Sequence, residues 1–264
     1  MTNAVEILRN LQARMAAEND PEWPDDYAQK LYFTESHGLI HVEYYGPCFD
    51  ETYEEFLNTV CRSDVAPHLR SLALRGPDEG ANGTRNWDLS CLAAEGVRFS
   101  SLNSFYIEPT APEHHNHSIV AAIYEEEGQI AHAVAKMPDL KSLTVPSAPN
   151  KEFFLAASAT LERLRIESGY NHQNFIQNLS ESRRLPNLTS LDFGDYNQRN
   201  VSGDTDQCTA FSHYEQLFKS PAFDPVKLFT LRNSPLSTSE LSALRKMRND
   251  VQFFQIQSFG SYVR

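Results

Sequence analysis

The side chains best suited to chemistry are three histidines. Residues 112–118 read PEHHNHS, which places His114, His115 and His117 beside Glu113. Imidazole nitrogens bind zinc, nickel or copper, so one reading is a metal-dependent enzyme built on this loop. Adjacent side chains point in different directions on most backbones, however, and the spacing follows no regular ligand pattern. A solvated loop is therefore expected, with no metal and no other cofactor. Nucleophilic catalysis has less to stand on. No Gly-x-Ser-x-Gly elbow occurs. Cys48, Cys61, Cys91 and Cys208 lie far apart and form no Cys-x-x-Cys pair, which fits reduced, mostly buried thiols. The glycine-rich residues 76–84, GPDEGANGT, lack the Lys-Ser/Thr end of a phosphate-binding loop. Asp25 and Asp26 sit in an acidic stretch where solvated charge is the simpler reading. The chain is read as a non-enzyme.

The elements that position these residues repeat. The spacing L-x-x-L-x-L, with other large apolar residues allowed, recurs along the chain. It occurs as Leu69-Arg-Ser-Leu72-Ala-Leu74, Leu102-Asn-Ser-Phe105-Tyr-Ile107 and Leu140-Lys-Ser-Leu143-Thr-Val145. Leu161-Glu-Arg-Leu164-Arg-Ile166 and Leu188-Thr-Ser-Leu191-Asp-Phe193 follow, then Val226-Lys-Leu-Phe229-Thr-Leu231 and Val251-Gln-Phe-Phe254-Gln-Ile256. Leu39-Ile-His-Val42-Glu-Tyr44 is an outlying copy. Pro67, Pro138 and Pro186 each stand two residues before a first apolar slot. Between copies lie helical signals: a capping box at Ser237 and Glu240 ahead of Leu241 and Leu244, and apolar faces at Ile130, Val134 and Met137, at Phe175, Ile176 and Leu179, and at Phe211, Tyr214, Leu217 and Phe218.

Over residues 66–259 this pattern resembles the leucine-rich repeat family. The resemblance implies an α/β solenoid, or horseshoe, with parallel strands on the concave face and helices on the convex face. Repeat lengths are uneven. The family's ninth-position asparagine is replaced by Pro77, Thr110, Ala148, Gly169, Tyr196, Ser234 and Phe259. Loop insertions are expected at residues 76–86, 109–117 and 195–209, which are rich in Gly, Pro, Asn, Asp and Ser. Two regions are expected. Residues 1–65 form an acidic N-terminal cap, with an amphipathic helix on Ala4, Ile7, Leu8, Leu11 and Met15 and a β-hairpin turning at Ser36-His37-Gly38. Residues 66–264 carry about seven rungs.

In the family, residues between the inward apolar slots face solvent and commonly bind partners. Carried over by slot, this gives Tyr106, Arg163, Arg165, Asp192 and Gln255. Just past the strands lie Arg75, Glu108, Glu167, Asp195, Tyr196 and Arg232. Tyr and Arg are the types most enriched at binding hot spots. Arg165 and Asp192 hold the same slot in consecutive rungs, so a mutual ion pair is the competing expectation for them.

The net charge is -12. Residues 1–68 hold 13 acidic and 4 basic side chains, and the remainder hold 22 and 19. That balance disfavours nucleic acid and fits either a basic protein partner, such as a toxin or nuclease, or solubility alone. Mean hydropathy is -0.48. No apolar run approaches the roughly 20 residues of a spanning helix, and no secretory pattern opens the sequence. The expectation is a cytoplasmic, monomeric protein-protein interaction module of the inhibitor, immunity or adaptor type. A self-associating structural protein is the remaining alternative.

Overall fold

The structure, a computed structural model, describes residues 3–18, 30–78, 80, 83–121, 126–195 and 208–258. It is mixed α/β, built on one large and mostly parallel sheet. In chain order the elements begin with α1 (Asn3–Glu18), β1 (Lys30–Ser36), β2 (Leu39–Tyr45), α2 (Glu51–Val60) and β3 (Leu69–Arg75). Next come β4 (Thr84–Asn86), α3 (Ser90–Ala93), β5 (Ser104–Ile107), β6 (His117–Ile119), α4 (Gln129–Val134), β7 (Ser142–Val145) and α5 (Phe153–Ala156). The remainder is β8 (Arg163–Glu167), α6 (Phe175–Glu181), β9 (Ser190–Gly194), α7 (Phe211–Lys219), β10 (Leu228–Arg232), α8 (Thr238–Met247) and β11 (Gln252–Ile256).

Nine strands form the main sheet, and they lie in the order in which they occur in the chain: β1, β2, β3, β5, β7, β8, β9, β10 and β11. β1 and β2 are the antiparallel hairpin, with His37 and Gly38 both at positive φ (54° and 78°). Those dihedrals suit a two-residue turn that follows the strand twist. Every other pair in this sheet is parallel. The hairpin's second strand pairs with β3, so the outlying Val42 and Tyr44 align with Leu72 and Leu74. Leu143 aligns with Phe105 on one side and Leu164 on the other, and Leu191 aligns with Phe229. These side chains and the buried faces of the helices share one apolar core that runs from Ala4 to Val251. Period-two alternation sends the intervening residues to the opposite sheet face.

The helical returns are uneven. α3 and α5 span four residues each. α8 spans ten and has the reciprocal Ser237–Glu240 capping box. Ile130 and Val134 are buried within α4, whereas Met137 is buried just past its end.

Two expectations need correction. The insertions at 76–86 and 109–117 are not loops throughout: β4 and β6 pair in parallel as a second, two-stranded sheet, with Arg85 opposite Ser118. The third insertion falls mostly outside the described residues. The last copy of the repeat is out of register by one. Phe253 aligns with Phe229, and its ring stands 5.2 Å from that of Phe229 and 6.0 Å from that of Phe218. Phe254 therefore takes the other face, where it is 54% exposed. Gln255 aligns with Leu231, yet at this last strand of the sheet it is exposed. A one-residue slip inverts every side chain of a strand, and two adjacent phenylalanines make either choice apolar.

In three of the copies the turn after the strand is tied by the eighth residue from the first slot. Ser147 Oγ accepts from Val120 N at 2.9 Å. Ser168 Oγ donates to Gly194 O at 2.8 Å. Asn233 Oδ1 accepts from Ser258 N at 2.9 Å. Short polar side chains there satisfy backbone groups that would otherwise be buried unpaired. Gly169, one place later, adopts φ 64°, and a Cβ there would stand 3.3 Å from Ser147 Oγ.

Candidate binding face

The sheet face away from the helices carries the candidate site. One row across it reads Glu43, Ala73, Tyr106, Thr144, Arg165, Asp192 and Thr230, each aligned with the next. The following row includes Glu167, Gly194 and Arg232. Parallel strands stand about 4.8 Å apart, so long side chains from both rows reach one another.

Their charges are paired in sequence along the face. Arg75 Nη1 donates to Glu108 Oε1 at 2.8 Å, and Arg75 Nε lies 3.3 Å from Glu43 Oε1. The same guanidinium sits over the Tyr106 ring, 4.8 Å from its centroid. Arg165 Nη2 donates to Glu167 Oε1 at 3.2 Å. Arg232 grips Asp192 in a fork, Nε to Oδ1 at 2.6 Å and Nη2 to Oδ2 at 2.8 Å. The expected Arg165–Asp192 pair is thus replaced by two others. Asp192 is taken by Arg232 from the next strand because the planar fork satisfies both carboxylate oxygens at once.

Past the C-terminal ends of these strands lies a cavity of about 420 Å³. Tyr106, Glu108, Arg165, Glu167 and Arg232 line it together with His117 and Ser118 of the small sheet, the Ser168-Gly169 turn, Asn233 and Ile256. Glu167 is an enclosed carboxylate on this wall, with 21% of its side chain accessible. That enclosure raises its pKa above the ordinary carboxylate range, although Arg165 and Arg232 pull the other way. Its carboxylate lies directly over the Cα of Gly194. A Cβ at Gly194 would overlap Oε2 and stand 2.7 Å from Cδ. Gly194→Ala should therefore lift Glu167 toward solvent. Because only the end of a flexible side chain must move, the change in stability should stay within about 1 kcal/mol. A carboxyl-carbon NMR titration should show the Glu167 pKa falling toward the ordinary range; an unchanged value would show that Gly194 does not hold it.

Six of the sequence-predicted residues meet at this cavity: Tyr106, Glu108, Arg165, Glu167, Asp195 and Arg232. Asp192 stands behind, holding Arg232. Arg163 is at the start of β8, its side chain 62% exposed and 3.9 Å from Glu162, and it does not line the cavity. Asp195 lines the cavity and also anchors the structure. It is 1% exposed, and its carboxylate accepts from Thr209 N, Thr209 Oγ1 and Tyr214 Oη at 3.1, 3.2 and 2.7 Å. Tyr196, like Asp25 and Asp26, lies outside the described residues.

The three histidines have separate surroundings. His114 Nδ1 lies 3.2 Å from Arg85 Nη2, and burial together with that guanidinium holds its pKa below the usual imidazole range. His115 Nδ1 bonds Asp78 Oδ2 at 2.8 Å. The His117 ring packs edge-on against Tyr170 at 4.8 Å. Among the described residues no group of three His, Cys, Asp or Glu side chains is placed to hold a metal ion. The four cysteines are free thiols; Cys48 and Cys208 are buried, whereas Cys61 and Cys91 are half-buried, with Cys61 Sγ donating to Cys91 O at 3.4 Å. No described helix is long and apolar enough to cross a membrane.

Sequence reasoning missed Glu43, Ser168 and Asn233. Glu43 was available as an outward slot of the outlying repeat copy, and the two turn residues were available as the recurring polar eighth position. No protein-family model matches the chain, and the comparison with curated proteins finds no match.

Proposed function

We propose that the chain is a divergent leucine-rich-repeat solenoid that acts as a protein-binding module and not as an enzyme. On this reading residues 1–65 cap a horseshoe formed by residues 66–264, and the outward strand face receives the partner. The observation that carries the proposal is the pre-paired row of Tyr106, Arg75, Arg165, Asp192 and Arg232 on that face. Side chains already held in place lose little freedom on binding, and a rigid face lowers the ordering cost of association. The net charge of -12 supports a basic protein partner, with an inhibitor, an immunity-type protein or an adaptor as the role. A cytoplasmic monomer is part of the same proposal.

The test is capture by the immobilised chain from the native cell, followed by affinity measurement on the purified partner. Tyr106→Ala removes an aromatic anchor from the middle of the face. It should weaken binding about thirtyfold, or about 2 kcal/mol, while leaving the circular dichroism spectrum unchanged. Full affinity in that variant would exclude the strand face as the docking surface.

A further inference from the structure

The cavity at the strand ends has its own preference. Its lining carries two guanidiniums, Arg165 and Arg232, and three carboxylates, Glu108, Glu167 and Asp195. The lining therefore has an excess of negative charge. Glu108 and Glu167 each receive a hydrogen bond at Oε1, from Arg75 and Arg165 respectively. Asp192, outside the cavity, has both oxygens taken by Arg232. An ionised carboxylate accepts several hydrogen bonds, so Glu108 and Glu167 retain acceptor capacity toward the cavity. A volume of about 420 Å³ admits one long side chain and not a secondary-structure element.

We infer that this cavity receives the cationic side chain of an arginine or lysine projecting from the bound protein, held between Glu167 and Glu108. The inference rests on the protein-binding reading and names the chemistry of the partner's anchor. The cation restores local charge balance, and its donors fill the acceptor sites that Arg75 and Arg165 leave open. The rise in the Glu167 pKa agrees, because an enclosed carboxylate short of positive charge resists ionisation until a cation arrives. An acidic anchor has one point in its favour, Arg165 Nε, a buried donor without a partner among the described residues. It would add negative charge beside Glu167 and Asp192, which weighs against it.

The test uses the whole chain and small probes. N-acetyl-L-arginine amide, which has no carboxylate, is titrated while the backbone resonances of Tyr106, Ser168 and Gly169 are followed by NMR. N-acetyl-L-glutamate amide is the acidic counterpart. Saturable shifts at those three residues with the arginine probe are expected, and weaker ones or none with the glutamate probe. Glu167→Gln keeps the shape and removes the charge. It should weaken the arginine probe about tenfold at an unchanged thermal midpoint. Absence of saturable shifts, preference for the glutamate probe, or equal binding by Glu167→Gln would each overturn the inference. None of these would by itself reject the strand face as a docking surface, because Tyr106→Ala measures that separately with the intact partner.

Discussion

Asp195→Ala is expected to lower the unfolding free energy by about 2–4 kcal/mol, measured as a shift in the denaturant midpoint at constant m-value. The carboxylate follows β9 and accepts hydrogen bonds from Thr209 N, Thr209 Oγ1 and Tyr214 Oη. Tyr214 is fully buried, so its hydroxyl loses its carboxylate acceptor where no solvent can replace it. Each stranded buried donor costs about 1–3 kcal/mol. Asp195 also donates its backbone N–H to Arg232 O at 2.9 Å, which ties the turn to β10. The Tyr214→Phe background separates the two contributions. If the carboxylate–phenol bond carries the stability, Asp195→Ala should cost less in Tyr214→Phe than in the wild type. A loss below about 0.5 kcal/mol in the wild type would show that Asp195 is replaceable in the core.

Asp195 also marks where sequence reasoning stops. It lies near a strand end as Glu108, Glu167 and Arg232 do, but it is the eighth residue from its first slot and they are the seventh. Counting groups it with Ser147, Ser168 and Asn233 only once that eighth place is known to tie the turns. What separates it from Glu167 is the chain that returns over the turn. Residues 208–218 cover Asp195 with Thr209 and Tyr214, whereas the cavity lies open over Glu167. The strands themselves could be read from the sequence because their signal is local. Leu140, Leu143 and Val145 are all buried, as the repeated hexapeptide spacing places them. The cavity has no local signal. Tyr106 and Ile256 share it although 150 residues separate them, and His117 and Ser118 enter through a small sheet that composition presents as loop. The slipped last strand fails for a different reason. Phe253 and Phe254 are equally apolar, and only the rings of Phe218 and Phe229 decide between them.

Between pH 5 and pH 8 the protein should lose stability through Glu126, by about 2–3 kcal/mol from this group alone. Glu126 is buried at the start of α4, and its oxygens accept from Gly128 N, Ile130 N and Asn150 N at 3.0, 2.5 and 3.4 Å. Burial raises its pKa to about 7 against those three bonds, and the nearby Glu152 charge adds to the rise. In the unfolded chain the same carboxyl titrates near 4.5. The folded state therefore holds the proton more tightly. The stabilisation is complete below about 4.5 and is lost as the pH rises through about 7. Other groups move in the same window. Burial lowers the pKa of His114 and of His172, so those two favour the folded state as the pH rises. Glu167, with its raised pKa, acts in the direction of Glu126. The informative quantity is thus a difference. Glu126→Gln cannot titrate, and its carbonyl oxygen still accepts from one backbone N–H. Subtracting its stability-versus-pH profile from that of the wild type cancels the histidines and Glu167. The difference should fall by about 2–3 kcal/mol from pH 5 to pH 8. Parallel profiles would mean that Glu126 is already ionised in the folded protein at pH 5. The three backbone N–H groups would then outweigh the loss of solvent, and α4 would begin on a carboxylate and not on a protonated acid.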